Sequence, residues 1–333
     1  MLGAYLLAAA AAGAQIADIK TFKDWVVGCD NGRLCQASAM MPESDTGVTL
    51  TVRRAPEPAA VPEVWLRPWE GEAADLAADG KRLDLHLTKV EKDYNEAFLV
   101  APGDAVRLLG ALRAAKSVAV LDASGKPIGS VLVDGATAAL LYMDEQQRRL
   151  GTQRALVRRG SKPDTSVPPP PVLPVVTAVR GSPKPPARLS PAFIAKVRKD
   201  NDCADETDPG YVHHARLDAT HSYASITLIC QSGAYNLISE DFIIADGAAP
   251  RPAKFDDDSS HQEGDMSHYN LSWDAKARRL HAGFKGRGIG DCGGRQIYAW
   301  DGRQFRLVAV SGMNDCRGVI DFISLWRARV VER

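Results

Sequence analysis

The sequence predicts an α+β protein that is mostly β: two antiparallel β-rich domains of sandwich or open-barrel type, the first with two helices, joined by a Pro-rich linker. Three observations carry this. Short runs of alternating apolar and polar residues, bounded by turn formers, recur along most of the chain. Helical spacing is confined to three stretches. Ten of the twenty prolines lie between Pro163 and Pro191, including Pro168-Pro169-Pro170-Pro171, which reads as a semi-rigid polyproline spacer. The 333 residues then divide into a leader (1–14), an N-terminal domain (15–162), a linker (163–188) and a C-terminal domain (189–333).

In the first half, Trp25-Val26-Val27, Val48 to Val52, Leu83 to Leu87 and Ala97 to Val100 read as strands. Pro102-Gly103-Asp104 then opens a helix, with Asp104 as the expected N-cap and Ala105, Leu108, Leu109 and Leu112 on one face. Ser117 to Leu121 and Gly129 to Val133 are expected strands around a turn at Ser124-Gly125-Lys126-Pro127. A second helix follows from about Gly135 to Leu150. It buries Ala136, Ala139, Leu140 and Met143, places Arg148 and Arg149 in its last turn, and is closed by Gly151.

The second half opens with a helix capped by Ser190, with Pro191 at its first position, running to about Lys199. Beyond Cys203 the pattern is β: Ser225 to Ile229, Asp241 to Ala245 and Val319 to Ile323 are expected strands. Trp300-Asp301-Gly302-Arg303-Gln304-Phe305 carries a hairpin signal. Trp273-Asp274 with Arg279-Leu280-His281 echoes it, as successive hairpins of one antiparallel sheet would.

The first fourteen residues carry no charge, and their apolar run from Leu2 to Ala12 is too short to span a bilayer. It ends in Ala12-Gly13-Ala14, a small-x-small pattern that reads as signal-peptide cleavage and export to the periplasm or outside, although no Lys or Arg precedes the run. No other stretch is apolar enough for a transmembrane segment. Six cysteines are then expected as disulfides. If each domain keeps its own, Cys29 pairs with Cys35, and three arrangements remain for the other four. Cys203–Cys230 with Cys292–Cys316 is favoured, because nearest-neighbour pairing suits a β-meander. A zinc-thiolate site would need close pairs such as C-x-x-C, and none is present.

Two resemblances follow from particular residues. Trp25-Val26-Val27-Gly28-Cys29-Asp30-Asn31, with Cys35, is similar to the start of invasion-associated locus B protein, an exported bacterial β-protein. Gly135 to Leu140, Met143-Asp144 and Gln147 to Thr152 resemble the bacterial periplasmic family called domain of unknown function 1176. So do Gly286 to Gly293, Tyr298 to Gly302 with Phe305, Cys316-Arg317-Gly318 and Trp326-Arg327. These likenesses imply an exported bacterial protein and supply no catalytic residues.

Composition excludes the easiest functional classes. Forty-one basic residues balance forty-one acidic ones, and each half is balanced too, so neither domain carries a field for nucleic acid or an anionic membrane. Gly286-Arg287-Gly288-Ile289-Gly290 lacks the strand–helix context of a dinucleotide fingerprint, and no P-loop or Gly-x-Ser-x-Gly elbow occurs. His213-His214, His221 and the acidic residues from Asp202 to Asp208 form the densest ligand-type cluster, but adjacent histidines on a strand point to opposite faces. Asp256 to Asp265 is acidic without EF-hand spacing. No metal or cofactor is expected. The residues singled out for binding are Arg287, Asp291 and Arg317, which a Cys292–Cys316 bond would bring together, and Trp300, which is also read as a core anchor. The reading is a binding or envelope-interaction module for an unknown envelope protein or small ligand. The alternatives are an envelope hydrolase with its site near Arg287 and Asp291, and an inhibitor of an attacking enzyme such as lysozyme.

Overall fold

A computed structural model describes residues 16–42, 47–92, 95–256 and 269–333. The expected leader, and most of the acidic segment after Asp256, lie outside these. The chain opens with strands β1 (Lys20–Phe22), β2 (Trp25–Cys29), β3 (Cys35–Ala39), β4 (Val48–Arg54), β5 (Glu63–Pro68), β6 (Asp75–Ala78), β7 (Lys81–Arg82), β8 (Leu87–Lys92) and β9 (Asn95–Val100). Helix α1 (Pro102–Ala114), strands β10 (Val118–Leu121) and β11 (Pro127–Val131), and helix α2 (Ala136–Gln146) complete the first half. Seven strands form one antiparallel sheet in the order β1-β2-β3-β4-β5-β9-β8, and a smaller sheet runs β11-β10-β6-β7.

Strands β2 and β3 are buried at every position, which alternation alone does not explain. The large sheet is covered on both faces. Trp25, Val27, Ala37, Leu50, Val52 and Leu66 meet α1 and α2 in one core, to which Leu108, Leu112, Leu140 and Met143 contribute. The opposite face presents Val26, Gln36, Ser38, Thr51, Trp65 and Arg67, all buried as well. Its cover comes from the other end of the chain.

The second half holds β12 (Val175–Ala178), α3 (Pro191–Asp200), β13 (Val212–Arg216), β14 (His221–Thr227), β15 (Ser239–Ala245) and β16 (Arg251–Pro252). A five-stranded meander follows: β17 (Ser272–Asp274), β18 (Arg279–Lys285), β19 (Gly293–Trp300), β20 (Phe305–Met313) and β21 (Ile323–Arg327). The last strand, β22 (Arg329–Glu332), pairs in parallel with β12, so the Pro-rich stretch contains a strand. Strand β21 packs across β2 and β3. The approach is close at Gly28, where a Cβ would fall 2.7 Å from Ile323 Cγ2. Val26 and Met40 therefore share a core with Ile323, Leu325 and Trp326. The protein is α+β and mostly β, and no described sheet closes into a barrel. The disulfides are Cys29–Cys35, Cys203–Cys230 and Cys292–Cys316.

Several local expectations need correction. Asp104 does not cap α1; Pro102 starts the helix earlier, after Ala101, and the Asp104 carboxylate accepts from the His86 backbone N–H and from Arg107. Helix α2 ends at Gln146. Arg148 turns into the left-handed region (φ 58°), so it and Arg149 do not form a last helical turn. Leu83 to His86 is not a strand, because Asp84 adopts φ 50° and β8 begins only at Leu87. Strand β11 lies two residues earlier than expected, and β14 stops at Thr227 before a short 3₁₀ turn. Val319 to Phe322 are not a strand either, since β21 starts at Ile323. The start, length and Ser190 cap of α3 are as read, with Ser190 Oγ accepting from Phe193 N–H.

The physical reason for that last correction is Asp321. Between Met313 and Ile323 the backbone leaves the sheet and carries this carboxylate onto the polar face of the large sheet. There it accepts from Arg67 Nη2 (2.9 Å), Arg67 Nε (3.0 Å) and Trp65 Nε1 (2.8 Å). The Asp321 backbone oxygen accepts from Gln36 Nε2. A guanidinium and an indole N–H buried on a sheet face require such an acceptor. Asp321→Ala removes it, and the expected cost is about 3–5 kcal/mol, read from urea unfolding. A loss below about 1 kcal/mol would show that another contact secures this face.

Candidate functional site

The sequence-selected residues do not converge on one place. Arg287 and Asp291 form a bidentate pair, with Nε–Oδ1 2.8 Å and Nη2–Oδ2 2.6 Å. Asp291 is completely buried, and its Oδ2 also accepts from the Gly318 backbone N–H (2.7 Å). Burial pushes its carboxyl pKa upward, but the Arg287 and Gly318 hydrogen bonds outweigh this and hold it below the usual carboxylate range. The Cys292–Cys316 bond closes the same loop, and Gly293 (φ 132°) lets the chain turn where a Cβ would meet Phe284 O at 1.9 Å. The pair thus braces a loop whose tip, Ile289, is exposed.

Arg317 turns away from this pair. Its Nε donates to Met41 O (3.0 Å) and its Nη2 to Asp24 Oδ1 (2.9 Å), so it ties the C-terminal loop to the first half. Trp300 sits at the far end of β19, buried, and donates from Nε1 to Asp218 Oδ2 (2.7 Å). Asp218 also accepts from the backbone N–H groups of Thr220 and His221 and contacts the His221 ring at Nδ1 (3.0 Å). Burial raises the Asp218 pKa, and these bonds lower it further than burial lifts it.

The histidines also go separate ways. His213 and His214 alternate across β13, and His214 Nε2 accepts from Leu189 N–H (3.1 Å). Among the described residues, Cys203, Glu206 and Cys230 bring three ligand-type atoms together. Both sulfurs belong to one disulfide and offer no thiolate. Asp256, the described start of the acidic segment, is engaged by Arg306 and Gln304.

A buried network that sequence inspection did not single out surrounds Arg54. Arg54 Nη2 donates to Asp144 Oδ1 (2.7 Å) and its Nε to Gln147 Oε1 (2.6 Å). Arg149 donates to the same Gln147 oxygen (3.1 Å) and to Pro58 O (2.8 Å). Asp144 further accepts from the Leu156 and Val157 N–H groups. Burial lowers the Arg54 pKa, and burial beside Arg54 lowers that of Arg149 to about 10. This network is what Asp144, Gln147 and Arg149 build; its groups are mutually satisfied and hold the end of α2 against β4.

A further candidate lies at the seam between the two sheets. A groove of about 370 Å³ is lined by Gln36, Arg53 and Trp65 from the large sheet and by Arg295, Ser311, Asp321 and Phe322 from the C-terminal half. The alternation of β4 explains its content: Leu50, Val52 and Arg54 face the helices, whereas Thr51 and Arg53 lie on the opposite face, and Arg53 lines the groove. Arg295 lies 4.1 Å from the Phe322 ring centroid, in cation–π geometry. The Asp321 carboxylate in the groove wall is committed to Arg67 and Trp65, and Arg53 and Arg295 also line the groove. Ile297, Ile320 and Leu34 add apolar wall. Sequence inspection missed Arg53, Arg67, Arg295 and Asp321. The available signal was a lone carboxylate inside the apolar run Val319 to Ile323.

Comparison with known proteins gives a consistent picture. The family described as "Protein of unknown function (DUF1176)" matches residues 19–329. The uncharacterized protein YpfG of Escherichia coli (strain K12) is 27% identical over 338 residues, covering 93% of each chain. No solved structure gives a match. The local likeness to invasion-associated locus B protein is not shown by these comparisons.

Arg287→Ala leaves a fully buried carboxylate with little besides the Gly318 N–H, whereas Asp291→Asn leaves a guanidinium that is one-third exposed to water (33%). The arginine change is therefore expected to be the more destabilising, by about 2 kcal/mol at pH 7. Burial already pushes the Asp291 pKa upward, and without Arg287 only backbone hydrogen bonds oppose it, so the folded variant takes up the proton more readily. The Arg287→Ala deficit should then narrow as the pH falls from about 7 towards 4, followed by urea unfolding at each pH. A deficit that widens over that window contradicts the buried-pair account.

Proposed function

This chain belongs to the DUF1176 family of proteins of unknown function, and from that footing we propose that it is an exported binding protein that holds a small anionic ligand between its two β-rich domains. Residues 15–162 and 189–333 are taken as those domains. Three disulfides support export, since such bonds persist in oxidising compartments. The leader-like first fourteen residues support it as well. No helix among the described residues is long and apolar enough to cross a membrane.

One observation carries the ligand class: Arg53 and Arg295 line the seam from opposite halves, and the acid in its wall is already neutralised by Arg67. Glu63 stands opposite Arg53 in the β4–β5 register but does not line the groove. Guanidinium groups suit carboxylate and phosphate oxygens. Phe322, Ile297 and Ile320 offer an apolar surface for the body of the ligand. Sites of this volume at a junction between domains are where small molecules commonly bind. The Arg287–Asp291 pair then serves as a brace for the C-terminal meander, outside the ligand site.

Calorimetric titration with phthalate, benzoate and benzamide tests this reading. Phthalate is expected to bind most tightly and neutral benzamide most weakly. Arg53→Gln and Arg295→Gln should each weaken phthalate by roughly tenfold, the scale of one charge-assisted contact. Benzamide binding as tightly as phthalate, or both variants binding unchanged, would sink it.

A further inference from the structure

A second cavity lies away from the seam. It occupies about 460 Å³ between α3, the loop after Cys203 and strand β13, and its apolar wall includes Leu189, Ile194, Ala195, Ala204 and Val212. Four charged or titratable side chains share the lining: Arg188, Arg198, Glu206 and His214. Arg198 and Glu206 are spent on each other and on the loop. They form an ion pair (Nε–Oε2 3.9 Å) whose two atoms are inaccessible; Arg198 also donates to Glu206 O and Asp208 O, and Glu206 Oε1 accepts from the Cys230 backbone N–H. This pair is neutral as a whole and serves as wall. His214 Nε2 accepts from the Leu189 backbone N–H (3.1 Å). A ring nitrogen that accepts carries no proton, so the imidazole is neutral. Burial and the nearby Arg188 charge hold its pKa below the usual histidine value. Arg188 is different. It is exposed, and among the described residues it has no hydrogen bond and no ion pair.

The lining thus carries one net positive charge, on Arg188, beside a wall that is otherwise apolar. We propose that this cavity binds a medium-chain fatty carboxylate, its head paired with the Arg188 guanidinium and its tail lying against Leu189, Ile194 and Val212. A carboxylate matches the planar fork of a guanidinium, and a saturated tail asks for no polar partner. An ammonium head would be repelled by Arg188, and an alcohol would leave that charge without a counter-ion. An ion pair at an exposed arginine is weak by itself, so the tail supplies most of the affinity and the head supplies the selectivity. The walls are held before any ligand arrives. The Cys203–Cys230 bond and the Glu206–Cys230 contact fix the loop, while the Ser190 cap and the Leu189–His214 bond fix the start of α3.

The test titrates the full chain at pH 7.5, by ligand-observed NMR, with butanoate, hexanoate and octanoate, and with octan-1-ol and octylammonium. Affinity is expected to rise about threefold with each methylene of the carboxylate series. At equal length the order should be octanoate, then octan-1-ol, then octylammonium. Arg188→Gln, a change at an exposed position, should weaken octanoate about fivefold and leave octan-1-ol unchanged. Ile194→Trp, which fills the apolar end, should abolish saturation transfer to both; should that variant not fold, the chain-length series and Arg188→Gln decide. Saturating phthalate should not displace octanoate, and neither variant should alter phthalate binding, which separates this site from the seam. Equal affinity along the carboxylate series, octylammonium binding as tightly as octanoate, octanoate unaffected by Arg188→Gln, or its displacement by phthalate would each overturn the proposal.

Discussion

The structure depends on one requirement: a β-sheet buried on both faces must find partners for every polar group it buries. The large N-terminal sheet could have been half-exposed, and its second face is accordingly polar, with Gln36, Ser38, Thr51, Trp65 and Arg67. Instead, a loop from nearly the other end of the chain brings Asp321 to Arg67 and Trp65 and a backbone carbonyl to Gln36. Such a contact joins residues more than 250 positions apart. It yields stability only once both halves have ordered, so it welds them rather than nucleating either.

The same device recurs along the seam. Asp30 of the first half accepts from Ser324 and Arg327 of the second, and Arg317 of the second half donates to Asp24 and Met41 of the first. Reciprocal ion pairs of this kind confer register more than raw affinity, because a slip of either surface would strand a charge in a dry environment. With the walls held so, the space left between them has a defined shape. Arg53 and Arg295 line that space from opposite halves, Arg295 against the Phe322 ring.

Much was legible from local pattern. The buried faces of α1 and α2, the Ser190 cap, the meander around Asp301-Gly302 and the pairing of each cysteine with its neighbour all concern residues close in sequence, where propensity and periodicity act directly. The misreadings share a cause. Val319 to Phe322 have strand composition, yet tertiary demand for the Asp321 carboxylate pulls that backbone out of the sheet. Arg149 fits the last turn of a helix, but Arg148 breaks the helix and Arg149 is drawn inward to the carbonyls of 55–58. Arg317 is grouped with Arg287 by a disulfide that does adjoin the Arg287 loop, and Trp300 is singled out beside them, but their side chains answer to Asp24 and Asp218 instead.

By itself, then, the amino-acid order determined the β-rich class, the three helices, the loop glycines and the family, because each is written in spacings short enough for local physics to enforce. Only the tertiary structure decided which charges are buried against a carboxylate and which line a groove. A guanidinium has the same letter whether it is neutralised in a core, as Arg54 and Arg67 are, or set in a groove wall, as Arg53 and Arg295 are. That distinction rests on which distant carboxylate reaches it, and burial makes the answer matter by removing the water that would otherwise have served.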